Sequence, residues 1–285
     1  MKYGFVILHY LTADDTINCV NSIFCKCKGN YEIVIVDNFS NNGSIEKVEK
    51  NIKNKIVHII KNNENLGFAK GNNIGYKYCK DKLKCDTIII LNNDILIESD
   101  NIFECIEKDL KKFNCDVIGP DIVSLKDGGH QNPMTENIKN KKDIYFDIIK
   151  YKFLYFLSYI YLYEFFKRLK KNKKNVISGK KNNSSFLQNV LLHGSFLIFT
   201  PHFVKNMDNA FCNDTFLYME EIILKKICEK NNYKTLYDPN IKIYHKEDSS
   251  TNKFNDNDNR KKRMFVFKNL VKSYYVLLKV INEKL

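Results

Sequence analysis

The sequence predicts an α/β fold in which a mostly parallel central sheet is covered by helices on both faces. Two observations carry that expectation. Four short apolar runs rich in Ile and Val, at 3–10, 31–40, 55–60 and 86–94, alternate with stretches of helical character. Continuous apolar runs of this length are strands buried on both faces, and their alternation with helices gives a parallel sheet. In addition, such runs end in polar residues, most plainly "TIIILNNDILI" with Asn92, Asn93 and Asp94. Ligands of parallel sheets sit beyond the carboxyl ends of the strands.

Each element follows in turn. "YGFVILHY" reads as the first strand and ends at His9 and Tyr10. "DDTINCVNSIFCK" carries Ile17, Val20 and Phe24 at i, i+3 and i+7, the spacing of an amphipathic helix. "YEIVIVDNFS" is a second strand that ends at Asp37 and Asn38 before the turn-rich "NFSNNGS". "SIEKVEKNI" reads as a helix and "KIVHII" as a third strand. "NENLGFAKGNNIGYKYCK" is a Gly/Asn-rich turn leading into a helix, and "DTIIILNND" is the fourth strand. Asp37 and Asp94 then fall on one edge of the sheet and face one crevice.

The second half is less regular. "LLHGSFLIFTPHFVKN" reads as strand, then turn; "CNDTFLYMEEIILKKICEKNNY" is polar, then helical; "KTLYDPNIKIYHKEDSST" holds a strand ending at His245. The tail "RKKRMFVFKNLVKSYYVLLKVINEKL" is a basic amphipathic helix whose apolar side could pair two chains. These readings divide the chain into 1–125, an aromatic and basic insertion at 126–190, a second half at 191–255 and a terminal amphipathic helix at 256–285.

Composition bounds the partners. The 285 residues carry a formal net charge of +13, which attracts anions such as nucleotides, nucleic acid or acidic lipid. The nine cysteines are scattered, "MKYGFVILHY" opens on a strand rather than a secretory leader, and Cys25–Cys27 lacks a second pair at zinc spacing. A cytoplasmic protein with reduced thiols is expected. Between 141 and 174, ten Lys/Arg accompany three Asp/Glu around the aromatic run "FLYFLSYIYLY". That run is too short to cross a bilayer, which needs about 20 residues. It is either a buried helix with a basic end or an interfacial helix on anionic lipid.

Phosphate-binding signatures are missing. Gly67, Gly71 and Gly75 fit neither GxGxxG nor a Walker loop. Each polar residue, taken singly, has an ordinary structural account: Asp commonly ends a strand, an acidic pair such as Glu220–Glu221 complements a helix dipole, and a strand-end His is usually structural. Their order along the chain changes the weighing. "VILHYLTADDTINCVNSI", "IVIVDNFSNNGS", "NENLGFAKGNNIGY", "IIILNNDILI", "GSFLIFTPHFV…FLYMEEIILKKI" and "IYHKEDSS" together resemble the family 2 glycosyltransferases, of GT-A fold. The subgroup most similar is the bacterial enzymes that build capsule, O-antigen or rhamnose-containing polysaccharides. The resemblance covers about 3–125 and 190–270.

The resemblance implies a set of roles. The nucleotide of a UDP- or dTDP-sugar would lie against His9, Tyr10, Asp37 and Asn38, with Asn65, Gly71, Asn72, Asn92 and Asn93 around it. Asp94, the acid of the DxD-type element, and His245 would hold Mn²⁺ or Mg²⁺. Glu221, or its neighbour Glu220, would be the base of an inverting transfer, and His193, Gly194 and Ser195 would face the acceptor. "NND" keeps only the last acid of DxD, and "EE" stands where the family has "ED". The acceptor would be a glycan on a polyprenyl diphosphate, reached at the inner face of the plasma membrane through the basic aromatic insertion and the tail. Two rival classes remain open: a nucleotidyltransferase-like enzyme, although "HYLTADD" is acidic where a triphosphate would be cradled, and a basic nucleic-acid- or lipid-binding protein, although no RNP, zinc or helix-turn-helix signature supports nucleic acid.

Overall fold

The structure, a computed structural model, describes residues 1–136, 140–169, 183–247 and 258–283. Strand β1 (Tyr3–His9), helix α1 (Ala13–Lys26), β2 (Tyr31–Asp37), α2 (Ser44–Asn51), β3 (Val57–Lys61), α3 (Gly67–Lys77), β4 (Thr87–Asn92), β5 (Ile95–Ile97), α4 (Ile102–Phe113) and β6 (Val117–Ser124) form the first half. They are followed by α5 (Lys141–Tyr159), α6 (Tyr163–Leu169), β7 (Leu187–Gln188), β8 (Phe196–Phe199), α7 (Pro201–Asn206), α8 (Glu220–Lys230), β9 (Thr235–His245) and α9 (Asn259–Asn282). Among the described residues nine strands make one sheet, ordered β3-β2-β1-β4-β8-β6-β9-β5 with β7 on β9.

The first four strands are parallel, as their uniform apolar runs predict. Side chains alternate between two cores along each of them. Phe5, Ile7, Ile33, Ile35, Ile89 and Leu91 enter a core under α1, α2 and α4. Val6, Val34, Val36, Ile88 and Ile90 enter a second core under α3, α7 and α8. The period-two alternation is hidden in the sequence because both faces need apolar residues. Beyond β4 the sheet becomes mixed: β8 runs antiparallel to both β4 and β6, and β6 is parallel to β9.

Several elements depart from expectation. The sequence gives no warning of β6, "VIGPDIVS", because Gly119 and Pro120 interrupt it; the structure accommodates them with a register shift between Pro120 and Asp121. Residues 201–206, expected as a turn, form α7 with Pro201 in its first turn, where a missing N–H costs nothing. Residues 130–134 do not belong with the helical insertion. Bridges Val123–His130 and Met134–Leu191 stitch them to the sheet. The helical layer begins at α5, whose start is fixed by a capping box between Asn140 and Asp143.

The tail helix, whose apolar side could pair two chains, packs along that side within its own chain. Its apolar side (Tyr274, Leu277, Leu278 and Val280) is used within the chain, in a third core shared with Ile144 and Ile148 of α5 and Met219 and Ile223 of α8. The Lys-rich stretch 170–174 and the serines that follow His245 lie outside the described residues.

The glycines of α3 have a packing role. A Cβ on Gly75 would lie 2.3 Å from Val6 Cγ1, and one on Gly71 2.6 Å from Leu8 Cδ1. Four residues apart, they form one face of α3 and let it lie directly on β1. Gly75→Ala is expected to destabilise the fold by about 1–3 kcal/mol through overpacking, read as a lower denaturant midpoint with an unchanged slope.

Candidate active site

The site gathers along the carboxyl edge of the parallel strands. Register places His9 of β1 level with Asp37 of β2, and Leu8 level with Asn92 of β4. Asp37 is buried, and its carboxylate accepts from the Ser40 N–H at 3.1 Å. Burial raises its pKa, with the Ser40 bonds opposing. Beside it Asn38 acts as a hub. Its amide donates to Asn65 Oδ1 (2.9 Å) and the Gly67 carbonyl (3.2 Å), and its oxygen accepts from the Leu66 N–H (3.0 Å). The segment 62–67 is thereby shaped by Asn38 and Asn65 rather than by glycine alone. Asn72 donates to the Phe68 carbonyl, and its buried oxygen has no partner. Asn73 ties α3 to Phe211 and Asn213.

Two residues expected at the nucleotide occupy a different place. His9 is fully buried, with Nδ1 2.7 Å from Thr16 Oγ1 and Nε2 2.9 Å from Ser44 Oγ. Burial lowers its pKa to about 4, so the ring is neutral and its two nitrogens bridge α1 and α2. Asn93 turns back in the same way, donating to Thr12 Oγ1 (2.6 Å) and Thr16 Oγ1 (3.0 Å). Both residues form the floor of the crevice. Gly71 likewise serves the α3–β1 contact described above. Tyr10 and Asn92 are half-buried at the ends of β1 and β4.

Asp94 follows immediately, and here the two halves of the chain meet. The Asn92 N–H donates to the Ser195 carbonyl at 2.9 Å, and the Lys246 N–H to the Asp94 carbonyl at 3.1 Å. The Asp94 carboxylate lies 3.3 Å from His245 Nε2, and both residues are buried. Behind the imidazole, Nδ1 meets Gln131 Oε1 at 2.8 Å, and Gln131 Nε2 donates to Glu247 at 2.6 Å. The carboxylate of Glu247 accepts only from the amide nitrogen, so the Gln131 oxygen faces the ring and takes the Nδ1 proton. In the neutral ring Nε2 then carries the lone pair, and it faces the Asp94 oxygen. Two acceptors so placed suit a divalent cation. Mg²⁺ or Mn²⁺ with two protein ligands would complete its shell with phosphate and water oxygens; among the described residues no cluster of three or more ligating side chains occurs.

Opposite lie the carboxylates of α8. Glu221 packs so tightly on Gly194 that a Cβ there would lie 2.6 Å from Glu221 Oε1. Burial raises its pKa, with a Gly194 backbone bond opposing. Glu220 is 5% exposed, with one oxygen unpartnered, and its pKa is pushed up to about 8, first by burial and then by the charge of Glu221. Near pH 7 the Glu220 carboxyl is therefore mostly protonated. Tyr218 and Met219 precede the pair with φ of 76° and 73°, left-handed values that cost non-glycine residues about 1–3 kcal/mol each. His193 Nδ1 lies 2.9 Å from Ser195 Oγ, and its ring meets that of His245 at 5.8 Å between centroids.

Residues 130–132, in the polar "HQNP" that reads more readily as a loop than as a substrate contact, support two histidines of the site. Gln131 orients His245, while Asn132 accepts from the His193 N–H (2.7 Å) and donates to the Pro120 carbonyl (2.8 Å). Their signal in the sequence is the run of three consecutive polar residues, "HQN". Lys246 is a residue that motif reading passed over; it pairs with Asp15 at 3.1 Å and brings a cation beside Asp94.

Comparison with known proteins agrees with this geometry. The family model described as glycosyl transferase family 2 matches residues 5–181. The low-salt glycan biosynthesis hexosyltransferase Agl10 of Haloferax volcanii is 27% identical over 99 residues, which is 35% of this chain and 30% of that protein. The fold is similar to that of S. aureus TarS 1-349 in complex with UDP-GlcNAc, with TM-score 0.57 and 13% identity over 100% of this chain and 68% of that one. It is similar also to GalNAc-T7 with UDP, GalNAc and Mn²⁺, with TM-score 0.57 and 16% identity over 86% of this chain and 43% of that one.

The raised pKa of Glu220 has a consequence for stability. A carboxyl whose folded pKa is raised contributes stability that is complete below its unfolded value, 4.5, and is lost as pH rises toward about 8. Glu220→Gln is expected to flatten the decline in melting temperature across that window. An unchanged decline in the variant would show that Glu220 is ionised at neutral pH.

Proposed function

Because the chain belongs to glycosyl transferase family 2, we propose that this glycosyltransferase moves a sugar from a UDP- or dTDP-sugar to a glycan acceptor with inversion at the anomeric carbon. The observation that carries the reading is the meeting of two unlike groups across the Asn92–Ser195 contact. Asp94 faces His245 on one side, and Glu221 lies against Gly194 on the other.

The chemistry needs both. An acceptor hydroxyl attacks the anomeric carbon as the bond to the diphosphate oxygen breaks. Glu221 takes the hydroxyl proton; burial raises its pKa, which makes it a better base than an ordinary carboxylate. A divalent cation on Asp94 and His245 would neutralise the charge of the departing diphosphate. Asp37 lies where a ribose or base can donate to it, and Lys246 adds positive charge near the phosphates. The acceptor is a sugar on a polyprenyl diphosphate, and the reaction runs at the cytoplasmic face of the membrane in the synthesis of a surface polysaccharide such as capsule or O-antigen. The exposed aromatic and basic surface of α5 and α6 supports that setting.

Thermal shift with UDP, dTDP, GDP and CMP, each with and without Mn²⁺, tests the donor site. UDP or dTDP should raise the melting temperature in a metal-dependent way, and Asp94→Ala should abolish the metal dependence. No rise with any nucleotide would refute the reading. For the chemical step, Glu221→Gln should lower kcat by ~10²–10⁴, while Glu220→Gln stays within about tenfold of the parent. Gln131→Leu should weaken apparent Mn²⁺ affinity by ~10–100-fold through the lost orientation of His245. Full activity in Glu221→Gln would remove it from the role of base.

A further inference from the structure

Helix α5 is apolar on two opposite sides. Its inner stripe, Ile144, Ile148 and the half-buried Tyr151, packs in the third core. Its outer stripe, Phe146, Ile149, Phe153 and Phe156, follows the same helical spacing and is 68%, 68%, 55% and 54% exposed. A globular helix places charged residues on that side. Phe165 and Phe166 of α6 extend the surface at 58% and 43% exposure. Most of the molecule's exposed large apolar side chains lie between 145 and 166. A contiguous apolar surface of this kind marks an interaction site.

Basic residues are interleaved with it. From 141 to 169 six Lys/Arg accompany three Asp/Glu. The start of α9, "RKKR", is pinned to the same corner. Arg260 lies 4.0 Å over the Tyr161 ring and donates to the Ser158 and Tyr159 carbonyls, and Arg263 lies 4.5 Å over Tyr163. Lys152 donates to Tyr275. Aromatic rings beside cations suit the boundary where headgroups meet acyl chains. No helix among the described residues is long and apolar enough to cross a membrane.

We propose that the outer face of α5 and α6, with the basic start of α9, docks on an anionic phospholipid bilayer. The proposal rests in part on the acceptor reading above and names the surface that would serve it. The inner side of α5 meets Met219 and Ile223 in the third core, so the docking face lies one helix away from the segment carrying Glu220 and Glu221. Docking therefore sets the acceptor end of the crevice beside the leaflet. Apolar contact and charge act together, and neither alone gives firm binding.

Vesicle flotation of the full chain tests this. Vesicles of phosphatidylcholine alone are compared with vesicles of phosphatidylcholine and phosphatidylglycerol in a two-to-one ratio. Binding to the anionic vesicles should exceed binding to the neutral ones by about tenfold or more. The triple variant Phe146→Ser, Phe153→Ser, Phe156→Ser should lose about tenfold of it. The three side chains are exposed, so the melting temperature and the nucleotide-induced shift should be kept. Anionic binding that is equal in parent and triple variant would overturn the proposal, because charge alone would then explain it. So would a parent that light scattering shows to be a dimer and that the variant turns into a monomer, because the face would then join copies of the chain. Loss of nucleotide binding with vesicle binding intact would refute only the donor reading.

Discussion

The crevice rests on a floor of buried hydrogen bonds in which His9, Thr12, Thr16, Ser44 and Asn93 satisfy one another. These groups come from β1, α1, α2 and the tip of β4, so the network ties two neighbouring strand ends to the two helices that cover them. A buried polar group without a partner costs about 1–3 kcal/mol, so the network fixes one relative placement of the strand ends. The low pKa of His9 is part of this. A charged imidazole would need two acceptors, whereas the neutral ring can donate to one hydroxyl and accept from the other. Asp94 follows Asn93 directly and inherits its position from that floor.

A second constraint is backbone strain at the rim. Leu11, Phe39, Tyr218, Met219 and Glu247 all have φ between 62° and 76°, and each lies next to a strand end or helix start that supplies a site residue. None is glycine, so the surrounding structure must hold them there. The cost is concentrated where side chains must point across the crevice rather than along their own element. Elsewhere β1, β2 and β4 are relaxed strands with fully apolar interiors.

Much of the first half was legible in the sequence. The runs at β1, β2 and β4 are buried on both sides, and that demand leaves an unmistakable apolar signature. Asp37 and Asp94 could be placed on one edge from topology alone. The second half was less legible for physical reasons. Strand β6 contains Gly119 and Pro120, which read as a break, and its pairing with β8 and β9 is long-range. Gln131 acts through His245, 114 residues away, so no local pattern announces it. The roles of His9 and Asn93 inverted for a related reason. A polar residue at a strand end can face ligand or floor, and the choice depends on Thr16, whose hydroxyl lies on the next helix. What distinguishes Glu220 from Glu221 is burial and the contact with Gly194, neither of which spacing reveals.

The paired glutamates show how one helix start can divide two identical groups. Both lie in the first turn of α8, where the helix dipole favours negative charge. Only one charge is tolerated there, because burial and the neighbouring carboxylate penalise the second. Glu221 receives the Gly194 backbone bond, which favours its charged form against burial. Glu220 sits beneath it and holds the proton. Ionisation of Glu220 would place a second charge against Glu221 and raise the latter's basicity at the expense of the fold. The arrangement is anchored by Met219 in the third core, so the position of the charged carboxylate depends on how firmly α5 and α9 pack. The apolar inner side of α5 thus helps to position Glu221, while its outer side faces away from the third core.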